Sequence, residues 1–171
     1  NETDDGLWAA HIPEVAYWNW TFDQLYVNGK RAVRAKSPNE GFFYIDDLKE
    51  EVWVMGTGRA PERAQQIVTT DAAASRELKK IDEMALSQTI MTAYHNWDIT
   101  KRHIDKYDIE ENKLYTSGQG MKPWNPLKPG KRFILENYKA ALDQPGEWFL
   151  EEDGMLYYMP YPHEKIETAE F

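Results

Sequence analysis

The sequence predicts an all-β protein, a sandwich or barrel, on three observations. Short runs rich in Val, Ile, Tyr and Phe, about eight to ten of them, alternate with Gly, Pro, Asn and Asp clusters, the spacing of strands and turns. Residues 22–35 set an Asn28-Gly29 pair between alternating arms, and Asn-Gly favours a type I′ hairpin because both residues tolerate positive φ. A second hairpin pattern, residues 147–150 and 155–159 around the turn 151–154, lies near the end of the chain.

Taken in order, residues 1–6 form a polar, acidic lead-in. Residues 7–12 read as a first strand stopped by Pro13, and residues 17–20 as the start of, or approach to, the next. In the first hairpin Phe22, Gln24, Tyr26 and Asn28 share one face, and Asp23, Leu25 and Val27 the other. After a turn at 37–41, residues 42–45 and 52–55 read as two strands joined by the acidic segment 46–51. Residues 62–68 fit neither period cleanly. Residues 71–81 have the best helix propensity in the chain. Asp71 is the N-cap, and Leu78, Ile81 and Met84 supply a thin apolar face, so a short surface helix is expected. Residues 89–97 favour a strand buried on both faces, the chain continues extended to 107, and 109–115 form another strand. Residues 118–130 hold Pro123, Pro126 and Pro129 and must form a loop. Residues 133–142 read as a strand end or a short helix, 143–146 as a Pro-Gly turn, and 165–171 as a polar exit. A single domain over residues 1–171, with its core at about 7–162, is expected.

The 171 residues can bury a sizeable core, and 42% hydrophobic with 13% aromatic content argues against disorder. A net charge of −9 makes nucleic acid and anionic membrane poor partners. The absence of cysteine excludes disulfides, thiolate metal sites and a Cys nucleophile. No run is long and apolar enough for a membrane-spanning helix, and a start at Asn1 rather than Met fits a processed chain or an excised segment.

Motifs for chemistry are sparse, and no cofactor or metal site is expected. His11, His95, His103 and His163 lack metal-ligand spacing, and His95 and His103 read as satisfied or exposed side chains. Gly56-Thr57-Gly58 lacks the third Gly and the Gly-Lys-Ser/Thr of phosphate loops, so it reads as a turn. No Gly-x-Ser-x-Gly elbow occurs. A glycosidase needs two carboxyls flanking the scissile bond. Glu136, Glu147, Asp98 and Asp105 lie beside aromatics, but with 29 acidic residues such neighbours arise by chance. Trp8, Trp18, Trp20, Trp97, Trp124 and Trp148 could stack on sugar rings. Core packing is the expectation for most of them, with Trp124 in its Pro-rich loop the exposed one. Arg31, Arg34, Arg59, Arg63, Arg102 and Arg132 read first as partners of the abundant acids.

Four segments in order carry a family resemblance: residues 22–39, residues 93–104 with Trp97 and Arg102, residues 133–150 with Glu136 and Asn137, and residues 154–160. Together they resemble a region of bacterial right-handed parallel β-helix glycoside hydrolases, including β-xylosidase-like members. The resemblance implies an immunoglobulin-like antiparallel β-sandwich, with one or two short helices in loops, that interrupts the β-helix. The catalytic carboxylates would lie in β-helix coils that this sequence does not contain, so no catalytic residue is assigned. The resemblance thus implies a non-catalytic insertion domain of a secreted or periplasmic enzyme. It would brace the β-helix of the same protein and line its cleft through Trp97, Arg102, Glu136, Asn137 and Trp124. Arg31 and Arg34 are the expected contacts to the β-helix. An independent carbohydrate-binding module, with a row of exposed aromatics, is the alternative, and a self-contained hydrolase the third reading.

Overall fold

A computed structural model of the chain describes residues 1–4, 6–18 and 20–170. Asp5, Asn19 and Phe171, which fall in the expected lead-in, the approach to the second strand and the polar exit, lie outside the described residues. The first elements are β1 (Trp8–His11), α1 (Pro13–Trp18), β2 (Tyr26–Val27), β3 (Lys30–Arg31), β4 (Val33–Arg34), β5 (Lys36–Ser37) and β6 (Phe43–Val54). Next come β7 (Arg63–Thr70), α2 (Ala72–Leu78), β8 (Ile90–Tyr94), β9 (Ile99–His103) and β10 (Lys106–Asp108). The last are β11 (Lys113–Gly118), β12 (Arg132–Glu136), β13 (Glu147–Leu150) and β14 (Met155–Tyr158). The chain is nearly all β, with antiparallel sheets and two short α-helices, as turns and alternation predict. It divides into two compact units: residues 1–36 with 137–171, and residues 37–136.

Unit one is built on the sheet β1-β14-β13-β4. The expected β13–β14 hairpin forms. Asn28 and Gly29 take φ of 51° and 72°, as a type I′ turn needs. The arms, however, are only two residues long, Tyr26-Val27 against Lys30-Arg31. Past Ala32 the chain leaves the hairpin and pairs in parallel with β13, Val33 opposite Glu147 and Arg34 opposite Trp148. Residues 17 and 18 belong to α1 rather than to a strand. Pro13 ends β1 as expected but also opens the helix, where its missing N–H costs nothing. Trp8, Val15, Leu25, Val27, Trp148, Leu150, Leu156 and Tyr158 form the core of this unit. Glu147 is buried, which pushes its carboxyl up, and it closes the turn before β13 by accepting from the Asp143 and Gln144 N–H groups, both at 3.1 Å.

Unit two carries the sheet order β10-β11-β7-β6-β12-β8-β9. Residues 46–51 do not turn. They lie within the single strand β6, whose register against β7 shifts between Ile45 and Asp47 and again between Val52 and Val54. The acidic run has no Gly or Pro to reverse it, and the half-exposed strand lets its charges face water. Residues 62–68 are ambiguous in sequence because the buried register of β7 is Ala64, Gln66, Val68 and Thr70, two of them polar. Gln66 donates to Glu50 at 2.8 Å and Thr70 to Asn112 at 2.9 Å, which satisfies both in the interior. Asp71 caps α2, accepting from the Ala74 N–H at 2.8 Å. The helix is more than a surface element: Ala74 and Leu78 are buried, whereas Met84 is 91% exposed.

The tryptophans depart most from expectation. Trp8 and Trp148 are buried and Trp124 is about half exposed, as expected, but Trp18, Trp20 and Trp97 are also half or more exposed, as is Trp53 on β6. The exposed ones sit on α1, on its exit, in turns or at a strand end, where no second layer covers them.

Gly154, at φ 91°, tests how closely unit one is packed. A Cβ there would lie 2.2 Å from the Ile12 carbonyl oxygen. Gly154→Ala combines left-handed backbone with a clash against main chain, and should destabilise the protein by about 2–4 kcal/mol. A lower urea midpoint at unchanged slope reads this out. Gly29→Ala, with nothing within 4 Å of its Cβ position, should cost only about 1–2 kcal/mol.

Candidate functional site

In unit two the β8–β9 turn and the loop after β11 enclose a cleft of about 210 Å³, lined by His95, Asp98, Thr100, Arg102, Lys122 and Asn125 among others. Asn125 holds the two walls together. It is 1% exposed, and its Oδ1 accepts from the Asn96 N–H at 3.1 Å while its amide donates to Asp98 Oδ1. Its main chain donates to the Lys122 carbonyl at 2.9 Å, and its own carbonyl faces His95 Nδ1 at 2.8 Å. A carbonyl only accepts, so His95 Nδ1 carries the proton. Nε2 pairs with the Thr100 hydroxyl at 2.8 Å. Asp98 also accepts from Lys122 Nζ at 2.7 Å, and this bond holds its carboxyl below the usual range.

Arg102, on β9, lines the cleft. Nη1 donates to the Lys101 carbonyl at 3.1 Å and Nη2 to the Gln119 carbonyl at 3.0 Å. Burial lowers its pKa, and the charge of Glu50 opposes the shift. Glu50 in turn accepts from the Met121 N–H at 2.8 Å, a second tie between loop and sheet. Gly118 makes room for the guanidinium, since a Cβ there would fall 2.5 Å from Arg102 Nε.

The residues singled out from sequence scatter around this cleft. Arg102 lines it, and Trp97 and Trp124 are exposed on the two segments that wall it. Trp124 lies 5.8 Å under the Arg59 guanidinium. Glu136 lies outside the lining, at the end of β12, where it accepts from Thr92 and lies 3.5 Å from Lys101 Nζ. Asn137 belongs to unit one. It is buried with φ 62°, and its side chain pairs with the main chain of Leu150. Arg31 is exposed on β3. Arg34 is enclosed: Nη2 donates to the Phe22 carbonyl at 2.6 Å and to Asp23 at 3.1 Å, and the guanidinium lies over Trp148. Sequence reasoning misses Asn125 and Lys122. The only local hint of Asn125 is its position before Pro126, which resembles an ordinary turn.

The polar groups of the cleft bond largely to one another. Asp98 is the one carboxylate lining it among the described residues, and it is held by Lys122 and Asn125. A glycosidase pair needs two. Both ring nitrogens of His95 have partners.

Two variants test how these walls are held. Asn125→Ala removes the partner of the Asn96 N–H and one of the two partners of the Asp98 carboxylate, and should cost about 1–3 kcal/mol, read as a fall in Tm. Because the Asp98 pKa is depressed in the fold, its contribution is complete above the ordinary carboxylate range and is lost as pH falls through the lowered folded value. Asp98→Asn should therefore lower Tm at pH 7, and the gap to the parent chain should close toward pH 3, as measured by thermal unfolding across pH.

A solved glycoside hydrolase is similar in fold over 99% of this chain, at 22% identity and a TM-score of 0.63. The chain spans 29% of that structure's length. No curated protein matches significantly. The family model of the GH141 insertion domain matches residues 5–161. The chain belongs to the GH141 insertion domain family.

Proposed function

We propose that this chain is the non-catalytic insertion domain of a secreted bacterial glycoside hydrolase, associated with the catalytic domain of the same polypeptide. The match to an insertion-domain family over residues 5–161 carries the reading. The low share of the similar glycoside hydrolase that the chain spans supports it. In this reading the catalytic part is a parallel β-helix, which the domain braces, and the cleft of unit two borders the bound glycan. Trp97 and Trp124 offer ring faces to sugar, and the polar lining offers donors and acceptors at fixed positions. The charged groups support a binding wall because each is already committed to a protein partner.

In the full-length enzyme, Trp97→Ala with Trp124→Ala should raise KM for polysaccharide about 2–10-fold and leave kcat unchanged, which is the loss of one or two stacking contacts. Unchanged KM in that variant and in Arg102→Lys and Glu136→Gln removes the cleft-wall role. The exposed aromatics Trp53, Trp97 and Trp124 also favour a second reading, an independent carbohydrate-binding module. Calorimetric titration of this chain with oligosaccharides separates the two, because only a module binds without the catalytic part.

A further inference from the structure

Unit one contains a line of aromatic rings that runs from its core to solvent. Trp148, fully buried, stacks on Phe22 with centroids 5.2 Å apart and planes at 18°. Phe22 packs on Trp20 at 5.5 Å. The Trp20 N–H donates to the Val15 carbonyl at 3.2 Å, which folds the exit of α1 back onto the helix. On α1 itself Tyr17 and Trp18 are 83% and 77% exposed, and Val15 is the one residue α1 buries among the described residues. Two large aromatics at such exposure on one short helix are the kind of apolar surface that marks an interaction site.

The residues matched by the insertion-domain family, 5–161, begin and end in unit one. An insertion domain is joined to its host at its two boundaries, so unit one carries both junctions to the host. We infer that the α1 face, Tyr17, Trp18 and Trp20, docks on the catalytic part of the same polypeptide. This rests on the insertion-domain reading above. The matching surface is apolar, with carbonyl or carboxylate acceptors for the indole N–H groups and the phenol. Ring geometry favours protein over glycan. Adjacent helix residues diverge by about 100°, so Tyr17 and Trp18 cannot share the flat platform a sugar chain stacks on. They suit separate pockets, as interface anchors do.

Hydroxyl-radical footprinting of the full-length polypeptide, resolved by mass spectrometry, tests this. Each rate is taken relative to the same residue in the denatured protein. Tyr17 and Trp18 should be protected at least about threefold, far more than their exposure in this chain would give. Weaker protection overturns the proposal. Protection lost on dilution assigns the face to a second copy, and protection seen only with added oligosaccharide assigns it to glycan; either result also overturns it. Glycosidase activity of the same sample reports separately on the enzyme reading, so an inactive polypeptide with protected Trp18 refutes that reading and supports the docking face.

Discussion

The candidate site depends on one buried amide. The loop after β11 forms no strand, and its main chain makes only isolated bonds, such as Gly120 N–H to the Pro61 carbonyl, so side chains do much to hold it. Asn125 supplies several of these ties. A fully buried side-chain amide must satisfy its donors and its acceptor, and the observed placement meets the Asn96 N–H and Asp98 together. That placement delivers the Asn125 carbonyl to His95 and brings Lys122 to Asp98. The cleft is the space left between two walls held in this way.

The same principle recurs elsewhere in the chain. Gln66 and Thr70 occupy core positions of β7 because Glu50 and Asn112 answer them. Glu147 is tolerated in the interior of unit one because two N–H groups point at it, although its burial opposes the charge. Asn137 takes a left-handed backbone conformation and bonds the main chain of Leu150 like a strand partner. Such groups give the fold a single register at some cost in stability. They also explain why residues with chemical potential are so often structural here: Arg34, Glu147, His95 and Asn137 each have their bonding capacity directed into the protein.

Much of the fold was legible because it rests on local rules. Asn28-Gly29 turned as expected, Asp71 capped its helix, and residues 147–158 formed the second hairpin. The misreadings share a cause. The first hairpin was cut short because β13 competed for Val33 and Arg34. The acidic segment stayed in β6 because β7 paired with it along its length. Leu78 was buried because α2 lies on unit two rather than in solvent. Of the site, Trp97 and Arg102 were singled out in sequence through the family resemblance, and Trp124 because it lies in a Pro-rich loop. Asn125 and Lys122 could not be, because their partners lie 30 and 24 positions away and no local pattern records a long-range bond.

By itself the sequence determined the class of fold, the turns and caps, and a family resemblance to glycoside hydrolase insertions, because propensity, alternation and motif order are properties of neighbouring residues. Only the tertiary structure decided which strands pair, which tryptophans face water, and which polar side chains form a cleft. Those outcomes depend on contacts between segments far apart in the chain, where burial and the need to satisfy each buried donor and acceptor outweigh local preference.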